Sequence, residues 1–227
     1  MKADIGIAAK RAVVAVGKGG RGFVIETQSN RFVITAAHCL PDLPTPHPWA
    51  SDTRVFRLLA PLGEKRKIVT ECLFVDPVSD IAVLGSPDNQ KLSNEADAYE
   101  ALIKTTAALP IGCLAPKMFA ELAGWILSLD GKWLRCVVSY HNDSGLWVVD
   151  VAQVIVGGMS GSPILAENGS AIGVMSCSNA GGKEGGPNPR LSHHLPGWLL
   201  RVVSSRGVRS RMSARGKGIF ARGRSGG

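Results

Sequence analysis

Apolar and polar positions fall into short runs, five to eleven residues long, separated by turn formers. GFVIET and RFVITAAH are β-rich and joined by the polar Gln28-Ser29-Asn30, which predicts a hairpin. KIVTECLFV predicts a further strand, halted by Asp76-Pro77. GWILSL and KWLRCVVSY flank Asp130-Gly131, a pair that favours tight reversal, and form a second predicted hairpin. LWVVDVAQVIV reads as one continued strand; SPILA and AIGVMSC, around Asn168-Gly169, form a third hairpin. Helix is expected at two places. One is around Asp4 to Ala12; the other starts at Pro196, where proline suits a first turn and Trp198, Leu199, Val202 and Val203 share a face. Residues 85–122 have no decisive period, and YEALIKTTAAL fits either type. Many short strands with little helix define an all-β chain, a sandwich or barrels.

Composition narrows the class. A chain of 227 residues suits one large domain or two small ones, and a 45% hydrophobic share supplies an ordinary core. No run approaches the ~18 apolar residues of a membrane helix, so no transmembrane segment is expected. The opening MKADIGIAAKRAVVAVGKGG has Asp4 and a second basic cluster where an export signal would be apolar, so no signal peptide is expected. The cysteines (Cys39, Cys72, Cys113, Cys136 and Cys177) are odd in number and form no CxxC pair; reduced thiols and a cytoplasmic location are expected. The net charge of +8 is localised. Residues 206–227 carry seven basic side chains and no acidic one; removing those seven from 26 leaves 19 basic against 18 acidic over residues 1–205. That Gly/Ser/Arg segment, Arg206–Gly227, reads as a disordered tail, and a counterpart for it would be nucleic acid or an anionic surface, held weakly.

Three short stretches bear chemistry. A serine hydroxyl is a weak nucleophile at neutral pH and needs an adjacent base, commonly a histidine held by a carboxylate. TAAHC ends a strand on His38, DPVSDIAVL places Asp80 directly before one, and GMSGSP surrounds Ser160 with glycines. Gly157, Gly158 and Gly161 free the backbone there, so that the N–H groups of Gly158 and Ser160 can converge on one oxyanion. Singly, each has a plainer explanation: a turn serine, a solvated histidine, a capping aspartate. Asp76 rivals Asp80 but already has the Asp76-Pro77 turn to explain it. His193-His194 with Cys177 matches no common zinc spacing, so neither a metal nor a cofactor is expected. The GxSxG hydrolase elbow fails, since Ser162 stands at its last position and that fold orders its triad serine first.

TAAHC, DIAVL and GMSGSP, in the order His, Asp, Ser, resemble the trypsin/chymotrypsin-type serine proteases, closest to their bacterial trypsin-like and HtrA-type branches. The resemblance runs over roughly residues 10–203. It implies two perpendicular six-stranded β-barrels with the site between them and a short C-terminal helix. The protease domain would span residues 1–205, with the barrel boundary near 85–122 and the tail at 206–227. It implies His38 as general base, Asp80 as the carboxylate orienting it, Ser160 as the acylated nucleophile, and the Gly158 and Ser160 N–H groups as oxyanion donors. Ser176 would flank the substrate backbone and support the aspartate. The activity implied is that of a serine endopeptidase on protein or peptide substrates through an acyl-enzyme. The side-chain pocket implied has Val154, six residues before Ser160, at its base and Ser176, Cys177 and Ser178 on its wall. It would accept small or medium aliphatic residues, unless Asp150 reached it.

Departures from the family are also legible. The strand opposite Cys39 reads RGFVIET, so Cys39 is expected as a free buried thiol. Met159 stands where zymogen-type members carry an aspartate, which leaves that activation switch without a partner and implies a protease that folds active or is regulated from outside. No PDZ-like region is expected after Val203. Two other classes compete: an inactive protease-fold binding module, and a nucleic-acid-associated protein acting through its tail. Intact His38, Asp80 and Ser160 argue against the first.

Overall fold

The computed structural model describes residues 3–27, 30–44, 54–112, 120–140, 145–176 and 184–201. A helix, α1 (Ala3–Lys10), leads into six strands: β1 (Val13–Val16), β2 (Gly20–Glu26), β3 (Arg31–Thr35), β4 (Val55–Pro61), β5 (Ile68–Asp76) and β6 (Ile81–Gly85). They close into a barrel in the order β1-β2-β3-β6-β5-β4, with β1 pairing back onto β4. Closure removes both sheet edges. It also explains why β1 and β6 are buried at every position, against the alternation of a half-exposed strand: the barrel interior takes one face and the packed layer outside takes the other. Phe23, Ile25, Ile34, Leu59, Ile81 and Leu84 are among its fully buried side chains.

The undetermined stretch contains a helix, α2 (Ser93–Thr105). Its buried residues Tyr99, Leu102 and Ile103 follow the i, i+3, i+4 spacing of one helical face and join the first core. Two polar contacts fix it there. The Tyr99 hydroxyl reaches the carbonyls of Arg31 (3.2 Å) and Leu84 (3.3 Å), and Arg31 Nη1 donates to Ile103 O (2.8 Å) and Thr106 O (2.9 Å), satisfying carbonyls at the helix end. Sequence alone left this segment open because its apolar positions are few and become a face only once a barrel is there to cover them.

The second half is a six-stranded antiparallel sheet. It is formed by β7 (Glu121–Leu127), β8 (Trp133–Tyr140), β9 (Leu146–Val149), β10 (Pro163–Ala166), β11 (Ala171–Val174) and β12 (Gly185–Asn188), in the order β11-β10-β7-β8-β9-β12. The strand number matches expectation, but the sheet is a half-barrel among the described residues rather than a closed one. The three predicted hairpins are β2–β3, β7–β8 and β10–β11. The strand predicted across 146–156 ends at Val149. Asp150 there takes φ 50, which ends the extended run, and Val151, Ile155 and Met159 enter the second core from a loop. A short helix, α3 (Leu191–His194), was not anticipated. The helix expected from Pro196 covers 197–201. Its Leu199 is fully buried and its Trp198 meets Phe32 edge-on at 5.6 Å. Among the described residues no helix is long and apolar enough to cross a membrane. The tail, with its expected anionic counterpart, lies outside the described residues, as do Val202 and Val203.

Candidate active site

Strand pairing builds the first half of the site. In the antiparallel register Thr35↔Ala82, the end of β3 lies beside the start of β6. His38, in a single 3₁₀ turn (Ala37–Cys39) after β3, therefore meets Asp80, the residue before β6. One carboxylate oxygen of Asp80 accepts from the His38 main-chain N–H at 2.9 Å, and the other contacts Nδ1 at 2.7 Å. Both ring position and main chain are thus set by one side chain. Asp80 sits at φ 56, a left-handed conformation that aspartate tolerates better than most residues. The turn before it is held by Asp76, whose Oδ1 accepts from Val78 N (3.0 Å) and Ser79 N (3.2 Å). The two carboxylates of this loop have separate work: one makes the turn, the other faces the histidine.

The electrostatics follow from this geometry. The hydrogen bond to Asp80, and then contact with Cys39, raise the His38 imidazole from 6.5 to about 10 against the opposing effect of burial. Burial pushes the Asp80 carboxyl up, but bonds from the His38 ring, the Ser176 hydroxyl and the His38 main chain outweigh it and leave it below its ordinary value. Ser176 Oγ donates to Asp80 Oδ2. Ser176 is held in turn: its N–H donates to Asn188 Oδ1 (2.8 Å), while Asn188 Nδ2 spans Leu146 O (3.1 Å) and Gly185 O (2.9 Å). Cys39 is buried and free.

Ser160 is brought in by its main chain. Its carbonyl accepts from Arg21 N at 2.8 Å, and the next residue, Gly161, donates to Met175 O at 2.7 Å. The Ser160–Gly161 peptide is therefore wedged between β2 of the barrel and the segment that ends in Ser176. Among the described residues no hydrogen bond joins the Ser160 hydroxyl to the His38 ring. Gly158 has φ 90, and neither its N–H nor that of Ser160 has an acceptor among the described residues.

Gly161 shows how tight the wedge is. It has φ 80, and a Cβ there would lie 1.8 Å from Arg21 O and 2.6 Å from Thr35 Oγ1. Thr35 Oγ1 already donates to Arg21 O at 2.7 Å, so neither atom can withdraw cheaply. Gly161→Ala is expected to cost roughly 2–5 kcal/mol, from the left-handed backbone plus main-chain overlap. Urea unfolding checks this; a loss under about 1 kcal/mol would contradict the packing described.

The expected pocket residues are brought together only in part. Val154 is 41% exposed and does not close a pocket floor among the described residues. The extended run breaks at Asp150, and Ile155 turns into the core while Val154 and Val156 face outward. Asp150 lies with Glu121 and Arg135 along a separate cleft of about 550 Å³ on β7 and β8. Cys177 and Ser178 lie outside the described residues. Sequence reasoning missed Asn188, which had no signal in GGPNPR, and Arg21, whose signal was a charge inside the apolar run GRGFVIE.

A closed six-stranded barrel followed by a six-stranded half-barrel, with His, Asp and Ser stretches between them, is a chymotrypsin-like fold. The sequence matches the trypsin-like peptidase domain over residues 20–174, and the chain belongs to that family. Among solved structures it is similar to the Rv3671c protease of M. tuberculosis in its inactive form, with 15% identity and a TM-score of 0.51 over 88% of this chain and 92% of that one. The active form of that protease gives 16% identity and 0.52, covering 87% and 83%. The serine protease of a human pathogenic astrovirus gives 14% and 0.53, covering 82% and 94%. No curated protein matches the sequence. At such identities the likeness is one of fold.

Proposed function

We propose that this protein is a serine endopeptidase that cleaves peptide bonds through an acyl-enzyme on Ser160. The observation that carries the reading is the double grip of Asp80 on His38, through Nδ1 and through the main chain. With Nδ1 committed to a carboxylate, Nε2 is the nitrogen left to take the Ser160 proton and return it to the leaving amine. Asp80 stabilises the imidazolium formed in that step, and Ser176 keeps the carboxylate from rotating. The tetrahedral oxyanion goes to the Gly158 and Ser160 N–H groups, which no protein acceptor occupies among the described residues.

A fluorophosphonate probe tests this, because only an activated serine reacts with it. Labelling of the native protein, lost in Ser160→Ala and in His38→Ala, is the expected result. A folded native protein that stayed unlabelled would favour a binding module instead. For the residue before the cut bond the reading assigns uncharged aliphatic side chains, since the position six residues before Ser160 is Val154 and not a carboxylate. Cleavage of a peptide library, read by mass spectrometry, should show Ala, Val or Leu at that place; dominant Arg or Lys would refute the assignment.

A further inference from the structure

One charge lies inside the apolar run of β2. Every residue from Gly20 to Ile25 is buried, and Arg21 is 5% exposed. A guanidinium carries five donors, and a buried one needs acceptors for them. Nη1 of Arg21 donates to Leu127 O (3.0 Å) and Ser128 O (2.9 Å), and Nη2 to Leu129 O (3.2 Å). All three acceptors are main-chain carbonyls more than a hundred residues along the chain, at the end of β7 and in the turn after it. Among the described residues no carboxylate pairs with it. A single carboxylate would suffice to balance the charge; three consecutive carbonyls instead hold a turn in place.

That turn is internally hydrogen-bonded, and its half-exposed Leu129 lies against Gly158. Ser128 N donates to Lys132 O (2.9 Å), Lys132 N donates to Ser128 Oγ (2.9 Å), and Asp130 pairs with Lys132 Nζ at 2.7 Å. Leu129, at its tip, stands against Gly158: a Cβ on that glycine would lie 3.3 Å from Leu129 Cδ2. Gly158, with Gly157 before it, has no side chain to fix its peptide plane, and the buried Met159 after it brings no charge to do so. Meanwhile the Arg21 main chain donates to Ser160 O at 2.8 Å.

We infer that Arg21 is a positioning residue for the Gly158–Ser160 segment. Its guanidinium fixes the hairpin at residues 127–132, and the hairpin, through Leu129, keeps the Gly158 N–H turned toward the reacting oxygen. The role rests on the serine-protease reading. A lysine cannot replace it, since one ammonium nitrogen does not span three carbonyls.

The full chain is compared with its Arg21→Lys, Arg21→Met and Leu129→Gly variants. Arg21→Lys should lower kcat roughly 10- to 100-fold, the scale of a misplaced oxyanion donor, with KM nearly unchanged. Affinity for a peptide aldehyde, which forms a tetrahedral adduct, should fall in parallel, while the pH midpoint set by His38 stays put. A loss of folded molecules alone would move neither aldehyde affinity nor the exchange pattern of the folded remainder. Leu129→Gly should lower kcat too, and adding Arg21→Lys to it should bring little more. Amide hydrogen exchange at Ser128, Gly131 and Met159, whose N–H groups are hydrogen-bonded, should quicken at least about tenfold in Arg21→Lys, with β3 and β6 unaffected. Native kcat and aldehyde affinity in a folded Arg21→Lys, or unchanged exchange, overturn the inference. Should Arg21→Met fail to fold, native kcat in both other variants would do the same. If the native protein itself did not react with a fluorophosphonate, the protease reading would fall; the exchange measurement needs no activity and decides the tie separately.

Discussion

Ser160→Ala is expected to lower kcat by about 10⁶-fold while leaving the fold intact. The substitution removes one oxygen from a half-buried position whose main-chain bonds, to Arg21 N and through Gly161 to Met175 O, remain. Unfolding by urea should therefore shift by less than about 1 kcal/mol. His38→Ala should cost a similar factor, and the double variant little more than either alone. Nucleophile and base act in one proton transfer, so removing the second after the first takes away nothing further. Hydrolysis of a peptide or ester substrate under saturating conditions measures all three. A Ser160→Ala protein with more than a few per cent of native kcat would place the nucleophile elsewhere. Additive losses would mean that the two residues act in different steps.

Asp80→Asn should lower kcat by roughly 10⁴-fold and move the pH profile. The base must be neutral to accept a proton, and Asp80, followed by Cys39, raises His38 from 6.5 to about 10, so native kcat/KM should climb with pH through a midpoint above 6.5 and toward that value. An asparagine carries no charge to hold the imidazolium, and its amide N–H₂ can reverse the hydrogen bond and select the wrong ring tautomer. The midpoint should then fall back toward 6.5 together with the rate. Stability follows the same linkage. A group raised in the folded state stabilises fully below its unfolded value, 6.5, and loses that contribution as pH rises through about 10. Asp80, lowered from 3.8, stabilises above that value and loses its contribution as pH falls below it. The native protein should exceed Asp80→Asn most between about pH 4 and 6.5. Identical midpoints in the two proteins would show that His38 does not feel Asp80 in solution.

The strands and the order of the three motifs were legible from residues close together in the chain. Period-two apolar runs ending in Asp-Pro, Asp-Gly or Asn-Gly are local physics, and so is a glycine-flanked serine. The register between β3 and β6 was nearly legible as well: His38 and Asp80 each abut a strand, and antiparallel pairing of those strands leaves them together. Three features were settled by packing between distant segments. The run 146–156 breaks at Asp150 because the second core takes Val151, Ile155 and Met159 from a loop, so Val154 faces solvent against the count along the chain. α2 became a helix where the barrel offered Tyr99, Leu102 and Ile103 a surface. Ser176 reaches Asp80 across 96 positions, and Arg21 reaches Leu127 across 106. Local propensity acts over the few residues of a turn or strand, whereas a buried polar group must find its partners wherever the closed fold brings them. A charge in an apolar strand announces that a partner is needed, and only closure of the two sheets onto one another names the carbonyls that serve.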